Sequence, residues 1–203
     1  MKLLLFSDIH ADWKALESLL AQEADYYVAA GDLSNWAKNL DRAGEILMRR
    51  SGKVWVIPGN HESGKDITEM CDAFGLENVH GKSWTMNGIQ FAALGYSNLT
   101  PFDTPGEFTE EELTKHLDIL SEPRPGVLIC HCPPHGTTLD EAGPGKHFGS
   151  PAITKAIARM QPRYFFCGHI HEAAGREEVL GQTIARNLGK KGYLLNLETS
   201  LAA

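Results

Sequence analysis

The chain has 203 residues, 42% of them hydrophobic, which is enough to bury a sizeable core and suits one domain spanning residues 1–203. Its 19 Lys and Arg stand against 26 Asp and Glu, a formal charge of −7, with no long block of either sign; that balance argues against binding long nucleic acids, which depends on neutralising phosphates. The opening MKLLLFSDIH has only four consecutive apolar residues before Ser7, too few for a signal segment or a membrane span, so a cytoplasmic location away from membranes is expected.

Apolar, β-branched or aromatic runs of strand length recur along the chain: KLLLFS, YYVAA, KVWVI, IQFAALG, GVLIC and RYFFC. After the first, residues 12 to 22 read as a helix, with Asp12 suited to the N-cap and Trp13, Leu16, Leu19 and Leu20 on one face. A second helix is predicted over residues 37 to 49. WTMNGIQFAAL reads as a hairpin turning at Asn-Gly, and residues 96 to 108, YSNLTPFDTPGEF, as a long loop. Residues 109 to 120 open on TEEEL, a capping-box start for a third helix. A second long loop, PPHGTTLDEAGPGKHFGS, leads into a fourth helix within FGSPAITKAIARM, and GREEVLGQTIARNLG reads as a hairpin with a Leu-Gly turn. Strands alternating with helices, then hairpins, point to an α/β (α+β) fold with a mixed sheet or two packed sheets flanked by helices. Cys71, Cys130, Cys132 and Cys167 form no C-x-x-C pair and read as buried, reduced thiols.

The strand-like runs share a grammar. KLLLFSDIH ends in Asp8 and His10, YYVAAGD in Asp32, KVWVIPGNHE in Asn60 and His61, GVLICH in His131, and RYFFCGHIH in His169 and His171. Each run delivers Asp, Asn or His at its carboxyl end, where sheets with helical crossovers collect ligands. Glycines precede Asp32, Asn60 and His169, as expected where backbone crowds a centre. His169 and His171, two places apart, would share a face if their strand continued through them.

The ordered series D-x-H, G-D, G-N-H-E, H, G-H-x-H resembles that of the calcineurin-like metallophosphoesterases, from near Asp8 to His171. The resemblance implies two packed mixed β-sheets flanked by helices, a four-layer αββα sandwich, with two metal ions at the strand ends. It implies that Asp8, His10, Asp32 and His171 hold one ion, that Asp32, Asn60, His131 and His169 hold the other, and that Asp32 bridges them. Mn, Fe, Zn, Ni or Co suits such imidazole, carboxylate and amide donors. The implied chemistry is hydrolysis of a small phosphate ester by a metal-bridging hydroxide, with His61 protonating the leaving oxygen.

One departure from the Ser/Thr protein phosphatase branch bears on the substrate. That branch reads G-D-x-x-D-R-G in its second block, whereas GDLSNWA places Asn35 and Trp36 where an acid-assisting Asp and a phosphate-gripping Arg would stand. A doubly charged monoester loses more from the missing Arg than a diester does, so a phosphodiesterase is expected ahead of a phosphomonoesterase or protein phosphatase, of a non-catalytic scaffold of the same fold, and of a nuclease. HCPPHGTTLD followed by GHIHE is also similar to a subgroup of small metallophosphodiesterases, some of which have Gly at the first His of the last block; His169 is present here, so both metal sites should fill. His135 and His147 are candidates to touch the substrate, or else are structural. Trp36, Tyr96, Asn98 and Phe102 are candidate pocket walls or core plugs, and His80 and His116 read as structural.

Overall fold

Within the computed structural model, which describes residues 1–197, each apolar run read from the sequence becomes a strand. Early on, β1 (Lys2–Phe6), β2 (Tyr26–Ala30) and β3 (Val54–Ile57) alternate with α1 (Trp13–Leu20), α2 (Leu40–Leu47) and α3 (Gly64–Phe74). The short β4 (Glu77–Asn78) follows, then the hairpin of β5 (Lys82–Met86) and β6 (Ile89–Leu94), and the two-residue strands β7 (Ser97–Asn98) and β8 (Glu107–Phe108). Next come α4 (Glu110–Ile119), β9 (Val127–Cys130), α5 (Pro151–Met160) and β10 (Tyr164–Cys167). A second hairpin, β11 (Glu177–Leu180) with β12 (Thr183–Asn187), and β13 (Tyr193–Asn196) complete the described chain.

These strands form a five-stranded sheet in the order β13-β1-β2-β3-β4 and a six-stranded sheet in the order β11-β12-β10-β9-β6-β5. Both are mixed. β1, β2 and β3 are parallel with Leu5 beside Val28 and Ala30 beside Ile57, and β6, β9 and β10 are parallel with Phe166 beside Ile129, whereas β13, β5 and β11 pair antiparallel with their neighbours. The parallel strands therefore end on one side of each sheet.

Alternation along each strand sorts the core into three layers. Leu4 and Phe6 pack with Leu16, Ile46 and Ile67 of the first helices. Leu3 and Leu5, pointing the other way, join Val28, Phe91, Ile129 and Phe166 between the two sheets. Leu128 and Phe165 meet Leu117 and Ile157 of α4 and α5 on the far face. The result is helices, sheet, sheet, helices. Burial on both faces explains why the strands read as continuous apolar runs rather than as alternating ones.

Local signals account for the boundaries. Asp12 accepts Ala15 N–H at 3.1 Å to cap α1, and Thr109 with Glu112 forms the capping box of α4. The β5–β6 turn places Asn87 at φ 49° and Gly88 at φ 75°, the doubly left-handed geometry that favours Asn-Gly. Two expectations need correction. The second helix starts at Leu40 rather than at residue 37, because Trp36, Ala37 and Asn39 all lie in the left-handed region and Ala37 N–H donates to the His61 carbonyl at 2.9 Å. The sequence reading also places no helix over residues 64–74, where the structure has α3: Ser63 and Asp66 form its capping box and Ile67, Met70 and Cys71 bury one face. All four cysteines are free and buried, and no helix among the described residues is long and apolar enough to cross a membrane.

Candidate metal centre

The strand ends bring Asp8, His10, Asp32, Asn60, His61, His131, His169 and His171 together, under visible backbone strain. Asp8 (φ 56°), His10 (φ 45°), Asp32 (φ 54°) and His169 (φ 70°) all lie in the left-handed region, where Asp, Asn and His are the side chains that fit with least penalty and which functional sites exploit. Two glycines permit the crowding. A Cβ at Gly59 would collide with Asp32 Oδ1, and one at Gly168 would fall 2.5 Å from both Asp8 Oδ2 and Ser7 Oγ. β10 ends at Cys167, so His169 and His171 do not share a strand face; the turn at His169 and a short 3-10 segment beginning at His171 separate them instead.

The separation gives each histidine different neighbours. Single donor atoms of Asp8, His10 and His171 lie within 4.8 Å of one another, as do those of Asp32, His131 and His169. His10 Nε2 is 2.9 Å from His171 Nε2, and His171 Nε2 is 3.6 Å from Asp8 Oδ1. Asp32 Oδ2 stands between the groups, 3.5 Å from His10 Nε2 and 3.3 Å from His131 Nε2. Asn60 Oδ1 completes the second group at 3.3 Å from His131 Nε2 and 2.9 Å from His169 Nδ1. Donors sharing a cation at about 2.1 Å stand roughly 3.0–3.4 Å apart in octahedral or tetrahedral arrangements, so the two sets suit two cations with Asp32 common to both.

Neighbouring groups aim these donors. His131 donates Nδ1–H to the Ala30 carbonyl at 2.9 Å, and His10 donates Nδ1–H to Asn35 Oδ1 at 2.8 Å, leaving Nε2 of each facing the centre. Asn60 donates through Nδ2 to Thr104 Oγ1, which in turn hydrogen-bonds Glu107. Asp8 accepts Ser7 Oγ–H at 2.5 Å and His169 N–H at 2.9 Å. The buried Glu62 accepts N–H groups of Asp32 (3.1 Å), Ser34 (2.8 Å) and Gly59 (3.1 Å), tying the loops after β2 and β3 together. Asn35, Glu62, Thr104 and Glu107 were not assigned roles from sequence. Glu62 was visible in G-N-H-E, but Thr104 and Glu107 sit in a loop without periodicity, and only folding brings them to Asn60.

The electrostatics favour cations. Burial would raise the Asp32 carboxyl, but the charge and hydrogen bond of His131 outweigh it and hold the group well below the usual carboxylate range. Burial would likewise lower His131, yet Asp32 and then Asp8 carry it up to about 9. Burial pushes His169 down to about 4. Two buried carboxylates that draw positive charge onto adjacent imidazoles make a cation-seeking site, filled by displacing protons from those rings.

His61 lies against this cluster, its ring edge-on to His10 at 5.0 Å and to Trp36 at 5.9 Å. Its backbone N–H donates to Asp32 Oδ1 at 3.0 Å, while Nδ1 is buried with no hydrogen-bond partner among the described residues. Asn35, at the position of the acid-assisting Asp in the phosphatase branch, serves His10 instead. The centre opens into a cavity of about 560 Å³ whose outer wall includes Leu99, Phe102, Phe148, His135 and His147, with no Lys or Arg among its lining residues. Asn98 lines it too and donates to the Phe148 carbonyl at 3.2 Å, joining the two long loops. Tyr96 is a plug rather than a wall, accepting Gly64 N–H at 2.6 Å. His80 accepts Gly95 N–H through Nδ1 at 2.8 Å, and His116 stacks on Phe108 at 4.6 Å, both away from the centre.

Comparison with known proteins establishes the fold and the family. An uncharacterized protein of Methanocaldococcus jannaschii is 32% identical over 202 residues, covering 96% of this chain and 91% of that protein. The fold is shared with the crystal structure of TT1561 of Thermus thermophilus (TM-score 0.72, 16% identity, 96% of this chain and 98% of that one). It is shared also with the phosphopantetheinyl hydrolase PptH of Mycobacterium tuberculosis (TM-score 0.69, 17% identity, 100% and 98%). The family profile described as calcineurin-like phosphoesterase matches residues 1–173, a span containing every donor described above, and the chain belongs to that family.

Proposed function

We propose that this chain is a dinuclear-metal phosphodiesterase acting on small substrates. The observation that carries the reading is the position of Asp32 Oδ2 between two donor sets, with His10 Nε2 at 3.5 Å on one side and His131 Nε2 at 3.3 Å on the other. Bound divalent cations would supply a water acidified towards neutrality and Lewis acidity for the phosphoryl oxygens. Asp8, His10, Asp32 and His171 would hold one, and Asp32, Asn60, His131 and His169 the other. With five uncharged donors against two carboxylates, the loaded centre keeps an excess of positive charge for a phosphate despite the acidic chain.

The remaining chemistry falls to the chain's own side chains. His61 lines the cavity and is the candidate to give a proton to the departing ester oxygen. Trp36 packs edge-on against that imidazole. The diester preference is supported by the cavity wall, which offers no Lys or Arg to a doubly charged monoester, and by its apolar outer part, which suits a second organic arm. PptH, which shares this fold, is named as a hydrolase of phosphopantetheinyl groups, compatible with ester hydrolysis on the same scaffold.

The test is hydrolysis of bis-nitrophenyl phosphate beside nitrophenyl phosphate, on chelator-stripped protein with Mn, Fe, Zn, Ni or Co restored singly. Metal-restored turnover favouring the diester is expected. Preference for the monoester would replace the reading with a phosphomonoesterase, and bound metal without turnover would make the chain a non-catalytic scaffold.

A further inference from the structure

A second polar cluster faces the same cavity from the loop of residues 133 to 150. Asp140 is fully buried, and its carboxylate accepts N–H groups from Gly136 at 3.2 Å, Thr137 at 3.0 Å and Gly149 at 2.9 Å. The same carboxylate receives Nδ1–H of His147 at 2.7 Å and lies 3.5 Å from His135 Nδ1. The two rings stand 6.0 Å apart at 76°. One carboxylate therefore both closes the loop and aims the His147 imidazole, with the His135 ring close beside it.

With Nδ1–H committed to Asp140, the free atom of His147 is Nε2, which has no hydrogen-bond partner among the described residues. The side chain is 30% exposed, and it lines the cavity that also holds Asp32, Asn60 and His169. The Asp140 hydrogen bond raises this imidazole above its ordinary range, and the nearby Glu141 acts in the same sense. The carboxylate thus favours the protonated form of a donor on a wall that otherwise carries neither Lys nor Arg, and the apolar Leu99, Phe102 and Phe148 line the same cavity.

We propose that His147, aimed by Asp140 and assisted by His135, binds a second anionic group of the substrate, so that preferred substrates are phosphodiesters whose organic arm ends in a phosphate or carboxylate. The inference rests on the phosphodiesterase reading of the metal centre. The scissile phosphate belongs to the metal ligands, the carbon skeleton of the arm to the apolar wall, and the terminal anion to His147 Nε2–H. A charge-assisted hydrogen bond of this kind is the stronger class and gives direction as well as affinity.

The experiment compares nitrophenyl diesters with matched second arms, one ending in a carboxylate, one in a phosphonate and one in a neutral carboxamide, on metal-loaded protein. About a tenfold higher kcat/KM for the anionic arms, carried mainly by KM, is expected. His147→Gln should erase that ratio and His147→Arg should keep most of it. Asp140→Asn is a poorer variant, because Asp140 also holds the loop together. Equal kcat/KM for charged and neutral arms in the unaltered protein, or a ratio that survives His147→Gln, would overturn the anion-site assignment while leaving the diesterase intact. No hydrolysis of any of the three diesters would remove the diesterase reading and this inference with it.

Discussion

Asn60 donates through Nδ2 to Thr104 Oγ1 at 3.1 Å, and that hydrogen bond decides which end of the amide faces His131 and His169. Asn60 is the only carboxamide among the proposed ligands, and a carboxamide can present either oxygen or nitrogen. Thr104, anchored by Glu107, holds the oxygen inward. Thr104→Val should therefore weaken metal binding at the second site by roughly 10–100-fold with little change at the first. Stepwise metal titration followed by calorimetry reads this directly, and two unchanged affinities would show that Thr104 does not orient the ligand.

Glu62 organises the loops that carry Asp32 and Asn60, accepting three backbone N–H groups without any contact to the cavity. Glu62→Ala leaves those donors buried and unpaired, at roughly 1–3 kcal/mol each, so a stability loss of at least about 3 kcal/mol is expected. Glu62→Gln should fall between, because its amide nitrogen cannot accept. Urea unfolding of the metal-stripped proteins separates this from ligand loss; a loss under about 1 kcal/mol for the alanine variant would contradict the assigned role.

Acid should destabilise the protein through His80 as well as through the metal centre. Burial, and secondarily His116, lowers this imidazole from 6.5 to about 4. Its Nδ1 lone pair receives Gly95 N–H, so the folded chain prefers it neutral. Between those two values the unfolded state binds the extra proton, and stability rises with pH. The contribution is complete above pH 6.5 and disappears as pH falls towards 4, amounting to up to about 3 kcal/mol. His80→Gln should flatten that limb of the stability profile in chelator; an unchanged slope would assign it to other groups.

If His61 delivers a proton to the leaving oxygen, its removal should matter in proportion to the basicity of that oxygen. His61→Ala should reduce turnover of an alkyl diester by roughly 100-fold or more, yet reduce nitrophenyl diester turnover far less, since nitrophenolate leaves unprotonated. Equal losses on both substrates would remove the general-acid role and leave His61 as a positioning residue whose ring packs edge-on against His10.

The parts legible in sequence were those set by local rules. Buried parallel strands produce uninterrupted runs such as VLIC and YFFC, and Asn87-Gly88 states its turn. The proposed ligands were legible because each follows the carboxyl end of a strand, so five short motifs report one place in space. What escaped depended on contacts between distant segments. Ala37 reads as the start of a helix but is held out of α2 by the loop after β3, and Thr104 meets Asn60 across 44 positions. His147 could be singled out as a histidine in a long loop, but its pairing with Asp140 is a product of the folded turn. The missed α3 had its signals in plain view in Ser63, Asp66 and the apolar spacing that follows.

The most direct test of the dinuclear centre is anomalous X-ray diffraction from crystals grown with Mn. Two peaks, on either side of Asp32 Oδ2, one against Asp8, His10 and His171 and the other against Asn60, His131 and His169, are expected. A single peak, or Mn bound with Asp32 outside both coordination spheres, would contradict the shared carboxylate on which the proposed chemistry depends.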